Sequence, residues 1–253
     1  MTPSPSTSAP AAQLAELIRE SECTVALTGA GISVPSGIPD FRTPGKGIWE
    51  NVDPMEVAHI DAFRGDPARF WGFYRPRLHS LGDVEPNGAH AALADLESRG
   101  LLEAVITQNI DMLHVKAGSQ RVIEVHGSIR TGTCEECRTE FSLDEVDELF
   151  DEAGVAICSS CRGHVKPDVV LFGEFLPADA MAEAEALASR ADLMLCIGSS
   201  LEVFPVAGLP ALTLGRGGRL AVITQGPTPF DQDVAVRMDG DVVADLEAVL
   251  AAL

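Results

Sequence analysis

The chain has 253 residues, a length that accommodates one large α/β domain or a core with a smaller module beside it. Its net charge of −20, from 18 Lys+Arg against 38 Asp+Glu, argues against a nucleic-acid binder, which needs cations to neutralise phosphates, and leaves attraction of basic partners and a plain solvated surface equally open. No apolar run approaches the ~18 residues of a membrane span, which argues against a membrane protein.

Residues 1–10 are rich in Ser, Thr and Pro, without a basic start or an apolar stretch, and are expected to form a disordered tail. Leu14, Leu17 and Ile18 then mark one face of a short helix, and Thr24–Thr28 is an apolar strand ending in the turn Gly29-Ala30-Gly31. Asn87 is placed to cap a helix through Arg99, with Gly100 as its stop, and Ala104–Thr107 follows as a strand. Val122–Val125, Val169–Phe172, Leu193–Ile197 and Leu220–Thr224 read as further buried strands, with helices at Ala178–Arg190 and Val243–Leu253. Strands alternating with helices imply a parallel sheet covered on both faces. Two stretches break the alternation, 43–87 with its aromatic helical piece Phe70–Tyr74 and 127–166 with four cysteines, and are expected to form a smaller module.

Those cysteines form two pairs, Cys134-x-x-Cys137 and Cys158-x-x-Cys161, separated by twenty residues. Two short-spaced pairs suit a tetrahedral zinc site, and four thiolates leave no open position, so the site is expected to be structural. A redox motif needs only one pair, and sparse, clustered cysteines suit a reducing cytoplasm better than a disulfide scaffold. Cys23 and Cys196 lie in apolar strand surroundings and are expected in the core.

Glycines after a first strand allow backbone N–H groups to approach a pyrophosphate. Here Val34 stands where the third glycine of the usual fingerprint falls, so from Gly29-Ala30-Gly31 alone a phosphate cradle and a plain tight turn stay equally open. The loop that follows brings Asp40, Phe41 and Arg42 together, as a ligand-covering loop would. Gln108, Asn109 and Asp111 fall just past a strand's carboxyl end, where open α/β sheets place ligands; His126, Gly198-Ser199-Ser200 and Thr224-Gln225-Gly226 end other strands.

In series, GAGIS…GIPDFR (29–42), TQNIDMLH (107–114), EVHG (124–127), the cysteine pairs, KPDVVLFGE (166–174) and GSSLEVFP (198–205) resemble the sirtuin family of NAD-dependent protein-lysine deacylases, closest to its bacterial deacetylase branch. The resemblance implies a Rossmann-like NAD-binding domain over 11–42, 88–126 and 167–253, with helices on both faces of its sheet. It implies a small module from 43–87 (helical part) and 127–166 (four-cysteine zinc part), with NAD as co-substrate, one structural Zn2+, and a cleft between the two.

Carried over by position, NAD phosphates fall at Ala30, Gly31 and Ser199 and the ribose near Gln108 and Ser200, with Gly29 and Gly198 as further cofactor-binding positions. Phe41 and Arg42 sit in the covering loop, Ile110 and Asp111 line the nicotinamide pocket, and Thr224, Gln225, Asp241 and Val242 mark the adenine end. His126 takes the general-base position, a role suited to a side chain titrating near neutrality, and Asn109 orders the ribose or a water. Gly173, Glu174, Leu201, Glu202 and Val203 occupy segments that pair with the substrate as an added strand. The implied partner is an acyl-lysine protein or peptide, with no nucleic acid and no membrane, for a cytoplasmic protein taken as a monomer. The family usually has Asn where Thr224 stands and a hydroxyl residue where Val34 stands. Tyr74-x-x-Arg77 has the spacing that binds acidic acyl chains in the desuccinylase branch, which would make this a desuccinylase or demalonylase, although i, i+3 pairs are common on helices. Protein ADP-ribosyl transfer, hydride transfer by a Rossmann oxidoreductase and a non-catalytic nucleotide-binding module are the alternatives.

Overall fold

A computed structural model describes residues 5–39 and 53–253. Its strands are β1 (Thr24–Thr28), β2 (Ala104–Thr107), β3 (Val122–Glu124), β4 (Gly127–Cys134), β5 (Glu140–Ser142), β6 (Val165–Val169), β7 (Leu193–Ile197), β8 (Arg219–Ile223) and β9 (Val236–Met238). The α-helices are α1 (Pro5–Glu20), α2 (Pro54–Val57), α3 (Ile60–Gly65), α4 (Pro67–Gly82), α5 (Gly88–Ser98), α6 (Leu113–Lys116), α7 (Leu143–Glu148), α8 (Ala178–Arg190), α9 (Leu209–Gly215) and α10 (Val242–Ala252).

Six strands form a parallel sheet in the order β3-β2-β1-β7-β8-β9. Strands buried on both faces need apolar residues at successive positions, and every residue of β1 and β7 is buried. Alternation decides the face. Ala26, Leu193, Leu195 and Ile197 meet α1, α5 and α10, whereas Val25, Leu27, Met194 and Cys196 meet α8 and α9. The strand order reverses between β1 and β7, which makes this a Rossmann-like sheet with its crevice at that point.

A second, antiparallel sheet, β5-β4-β6, packs with α3, α4 and α7 around a separate core that includes Phe63, Phe70, Trp71, Val165 and Leu171. Phe70 sets its ring edge-on to Phe63 at 5.0 Å, and the Trp71 indole N–H donates to the Val165 carbonyl at 3.2 Å, joining two distant stretches of chain.

Three expectations are corrected. Val169–Phe172 does not join the parallel sheet: the strand is Val165–Val169, antiparallel to β4, with Val165, Pro167 and Val169 alternating against Lys166 and Asp168 in burial. A short apolar run fits either kind of strand, and Pro167 is tolerated because β6 is an edge. The expected tail is also shorter, since α1 begins at Pro5 and Ala11 is already buried against the sheet's helices. Cys196 lies in the core as expected, but Cys23 is half-buried.

Candidate active site and metal centre

Strand register places the candidate residues in one row. Thr28 pairs with Thr107 and with Ile197, Thr107 with Glu124, Ile197 with Ile223, and Ile223 with Met238. The ladder then runs one residue further, through Gly29 N–H to Ile197 O, Gln108 N–H to Thr28 O, Val125 N–H to Thr107 O, Gly198 N–H to Ile223 O, and Thr224 N–H to Met238 O. Gly29–Gly31, Gln108–Asp111, His126, Gly198–Ser200 and Thr224–Gln225 thus leave the same edge together.

The glycines are required there by packing between turns. A Cβ on Gly31 would lie 2.8 Å from the Gly198 backbone, and one on Gly198, whose φ is +62°, would lie 2.2 Å from the Ile32 nitrogen. The two turns at the strand reversal therefore meet backbone to backbone, with Gly31 N–H donating to Gly198 O at 2.8 Å. Beside them Ser199 Oγ accepts from Gln108 Nε2 (3.0 Å) and from Leu201 N–H (3.2 Å), which leaves its own hydrogen to donate outward. A hydroxyl hydrogen left over beside the strand reversal is a donor of the kind a phosphate needs.

Below the crevice lies a buried polar web. Asp111 accepts from the Ser33 hydroxyl (2.6 Å) and from Leu113 N–H (3.0 Å). Asn109 donates its amide hydrogens to Gly29 O (3.1 Å) and Ser33 Oγ (3.2 Å), leaving its oxygen as the acceptor that remains. His90 Nδ1 accepts from Asn87 N–H at 3.3 Å, so its Nε2–H faces Ser33 Oγ at 3.4 Å. Burial lowers His90 to about 4, opposed by the Asp111 charge, and lowers His114 to about 3, with His90 adding to the effect. Local sequence pattern assigns no site role to Ser33 or His90. The signal for His90 was its position three residues after the Asn87 cap, where it completes a capping box.

His126 Nδ1 lies 2.9 Å from the Gln108 carbonyl. A carbonyl only accepts, so Nδ1 carries the hydrogen and the Nε2 lone pair is free, with no partner among the described residues. Burial lowers its pKa, partly offset by that carbonyl, and keeps the ring neutral near pH 7. Ile110 packs against the small module's core, and its carbonyl accepts from Ile129 N–H at 3.2 Å, so the Gln108–Asp111 loop sits where the two modules meet.

The remaining candidates divide. Gln225 Nε2 donates to Gly240 O (3.2 Å), and Asp241 caps α10, which begins at Val242, through the N–H groups of Val243 and Ala244. The Asp241 carboxylate is therefore engaged by its own helix. Gly173–Glu174 and Leu201–Val203 lie on two surface segments whose apolar neighbours Phe175 and Phe204 are 98% and 77% exposed. The Leu201 side chain is buried, so Leu201 offers a partner only its backbone. Tyr74 stacks on Phe70 at 4.4 Å. Burial raises its hydroxyl well above the ordinary range, with Arg77 opposing and Glu174 adding. Arg77 folds back over the Phe73 ring at 3.5 Å and donates to the Phe73 carbonyl. Phe41 and Arg42, with Asp40, lie outside the described residues.

The four paired cysteines converge, all Sγ atoms within 4.8 Å of one another, with Cys134–Cys161 at 3.4 Å and Cys137–Cys158 at 3.6 Å. Zn–S bonds of ~2.3 Å imply sulfur–sulfur edges of about 3.8 Å, which these distances approach. The two knuckles match. Arg138 and Arg162 follow the second cysteine of each pair with φ of 61° and 69°, and their N–H groups return to Cys134 O and Cys158 O. Thr139 Oγ1 lies 3.1 Å from Cys137 Sγ, and Gly163 N–H donates to Cys161 Sγ, so thiolates here would have donors besides the metal. The residues fit one tetrahedral zinc.

A model of the Sir2 family matches residues 29–205. The NAD-dependent protein deacetylase of Thermotoga maritima is 45% identical over 90% of this chain and 92% of its own length. The NAD-dependent protein deacylase of Thermococcus sibiricus is 44% identical over 87% of this chain and 88% of its own. A solved complex of Sir2 with a p53 peptide and NAD+ superposes with a TM-score of 0.88 at 43% identity, covering 94% of this chain and 96% of that one.

Proposed function

Because the chain belongs to the Sir2 family, we propose that it is an NAD-dependent protein-lysine deacetylase, converting acetyl-lysine, NAD and water to lysine, nicotinamide and O-acetyl-ADP-ribose. The observation that carries this reading is His126: a neutral imidazole just past the carboxyl end of β3, its Nδ1–H fixed on Gln108 O and its Nε2 free. The T. maritima relative carries the deacetylase name, and Sir2Tm has been solved with a propionylated peptide at 42% identity, so acyl-lysine peptide is the partner class the relatives support. Among the described residues no helix is long and apolar enough to cross a membrane.

NAD supplies an electrophilic ribose carbon with nicotinamide as its leaving group. The chain's residues bind and orient around it. Ala30 and Ser199 would flank the phosphates, Ser199 with the one hydroxyl hydrogen its neighbours leave over, while Gly31 keeps its N–H on Gly198 O and holds the two turns together. Gln108 and Ser200 flank the ribose, and Asn109 offers it an amide oxygen fixed by two donated hydrogens. Asp111, buried and held by Ser33 and Leu113, meets the nicotinamide amide beside Ile110, whose apolar side excludes water. His126 Nε2 takes the proton of a ribose hydroxyl. The peptide adds as a strand between Gly173–Glu174 and Leu201–Val203.

The acyl chain has a second reading, because the half-buried Tyr74 lies within electrostatic reach of both Arg77 and Glu174. Arg77 would attract an acidic acyl chain and Glu174 would repel it. We favour acetyl because Arg77 is already engaged with Phe73. One assay decides: acetyl- and succinyl-lysine peptides with NAD, following nicotinamide release. Release dependent on acetyl peptide supports the reading. A succinyl preference lost in Arg77→Met moves it to the desuccinylase branch. ADP-ribose appearing on protein, or absorbance growing at ~340 nm as in nicotinamide reduction, would replace it with ADP-ribosyl or hydride transfer.

A further inference from the structure

Edge strand β9 carries one cation, Arg237, whose guanidinium leaves the sheet toward the loop after β8. Nη2 donates to Thr224 O at 3.1 Å and to Gly226 O, and Nη1 donates to Asp231 Oδ1 at 2.8 Å. Asp231 is itself fixed, accepting from the Thr228 hydroxyl (2.6 Å) and N–H (3.1 Å), and these bonds, with Arg237 adding, hold its carboxyl below the usual range. A planar fork of N–H donors with no acceptor suits such a cup of oxygens, and the stretch from Thr224 to Asp231 closes around it.

The other ties are few: Thr224 N–H to Met238 O, Gln225 Nε2 to Gly240 O, the turn bonds within 228–233, and the Phe230 side chain against the sheet's core. Gln225, Gly226 and Pro227 are exposed. An exposed loop adds little to the core, and exposed ion pairs add little to stability. This much bonding on so little buried surface sets shape rather than stability. What it shapes is the far end of the crevice, across the strand reversal from Ile110 and Asp111.

We propose that Arg237 is a positioning residue for the adenosine half of NAD, holding the Thr224–Gly226 backbone in its binding shape while staying away from the reacting atoms. It rests on the deacetylase reading above, and acts by removing the cost of ordering a loop on binding. Thr224 in place of the carboxamide usual in the family leaves this end with one fewer side-chain contact, so more of the adenosine's recognition falls to backbone groups whose placement Arg237 sets.

The test is calorimetric titration of wild type, Arg237→Met and Arg237→Lys with NAD and with ADP-ribose, alongside steady-state kinetics. Arg237→Met is expected to weaken both ligands by about five- to tenfold and raise KM for NAD to match. The kcat at saturating NAD, KM for the peptide and inhibition by free nicotinamide should stay within about twofold. Arg237→Lys should recover part of the loss, since an ammonium donates to carbonyls without the fork. Unchanged NAD and ADP-ribose affinity, or kcat and peptide KM worsening by the same factor, overturns the proposal. If Arg237→Met melts early, Asp231→Asn, which keeps Arg237 and removes only its charged partner, must show the same split at smaller size. A wild type that binds no NAD refutes the function itself, whereas a wild type that binds beside an unaffected Arg237→Met refutes only this role.

Discussion

The two candidate centres, the carboxyl edge of the parallel sheet and the four-cysteine cluster, are held in place by different means. The edge is set by register: five loops leave it in one row, over strands buried on both faces, and its polar groups largely satisfy one another. The cysteine cluster lies beside a three-stranded sheet with a three-residue edge strand, and two of its thiols, Cys134 and Cys158, are also core side chains. Without a metal, four sulfurs at these distances have little to hold them together. Packing builds one centre in advance, and the other is completed by its ligand.

Metal removal should produce the largest difference. A strong chelator, or Cys158→Ser, is expected to abolish deacetylation and open residues 54–82 and 127–171 to protease while the parallel sheet keeps its helical circular dichroism. Full turnover in protein shown by metal analysis to be zinc-free would remove the contrast. Next is His126→Ala, expected to cost about 10²–10⁴-fold in kcat with NAD affinity within a few-fold of wild type, because one proton transfer is lost and the row of loops stays. An equal loss of NAD binding would mean that His126 holds the edge together.

The smallest effect is on stability and belongs to the polar web under the edge. His90 and His114 are held neutral in the fold, at about 4 and about 3, against about 6.5 when unfolded. The unfolded chain therefore takes up protons that the folded chain refuses, and their contribution to stability, whole above about pH 6.5, falls away as the pH drops toward 4. At about 1.4 kcal/mol per unit, the roughly 1.5 units that each histidine contributes between pH 6.5 and 5 make a loss of about 4 kcal/mol by pH 5, read as falling urea midpoints with zinc content followed in parallel. A flat profile from pH 7 to 5 would contradict the buried, neutral assignment of the pair.

What the sequence made legible follows the same division. Strands β1, β2, β7 and β8 are continuous apolar runs, and α5 and α8 have clear boundaries; the structure has all of them close to where periodicity puts them. Two-by-two cysteine spacing was enough to foresee a convergent cluster, since four short-tethered thiols have few other uses. Val169–Phe172 reads as a buried parallel strand because four apolar residues carry too little pattern to tell one from the stretch that follows an antiparallel edge strand, here β6. β9, at three residues, was missed, and with it the strand on which Arg237 stands. Ser33 and His90 escaped for another reason: their bonds to each other, Asp111 and Asn109 cross between elements far apart in the chain, and no local period records such contacts.

The placement of β1 also has a temporal side. Its neighbours are strands made much later, with Thr28 waiting for Thr107 on one side and for Ile197 on the other. Contacts this distant along the chain are slow to close, which works against early formation of the parallel sheet. The small module's core needs no residue beyond Leu171, so a ribosome has delivered all four thiolates before β7 exists to complete the crevice.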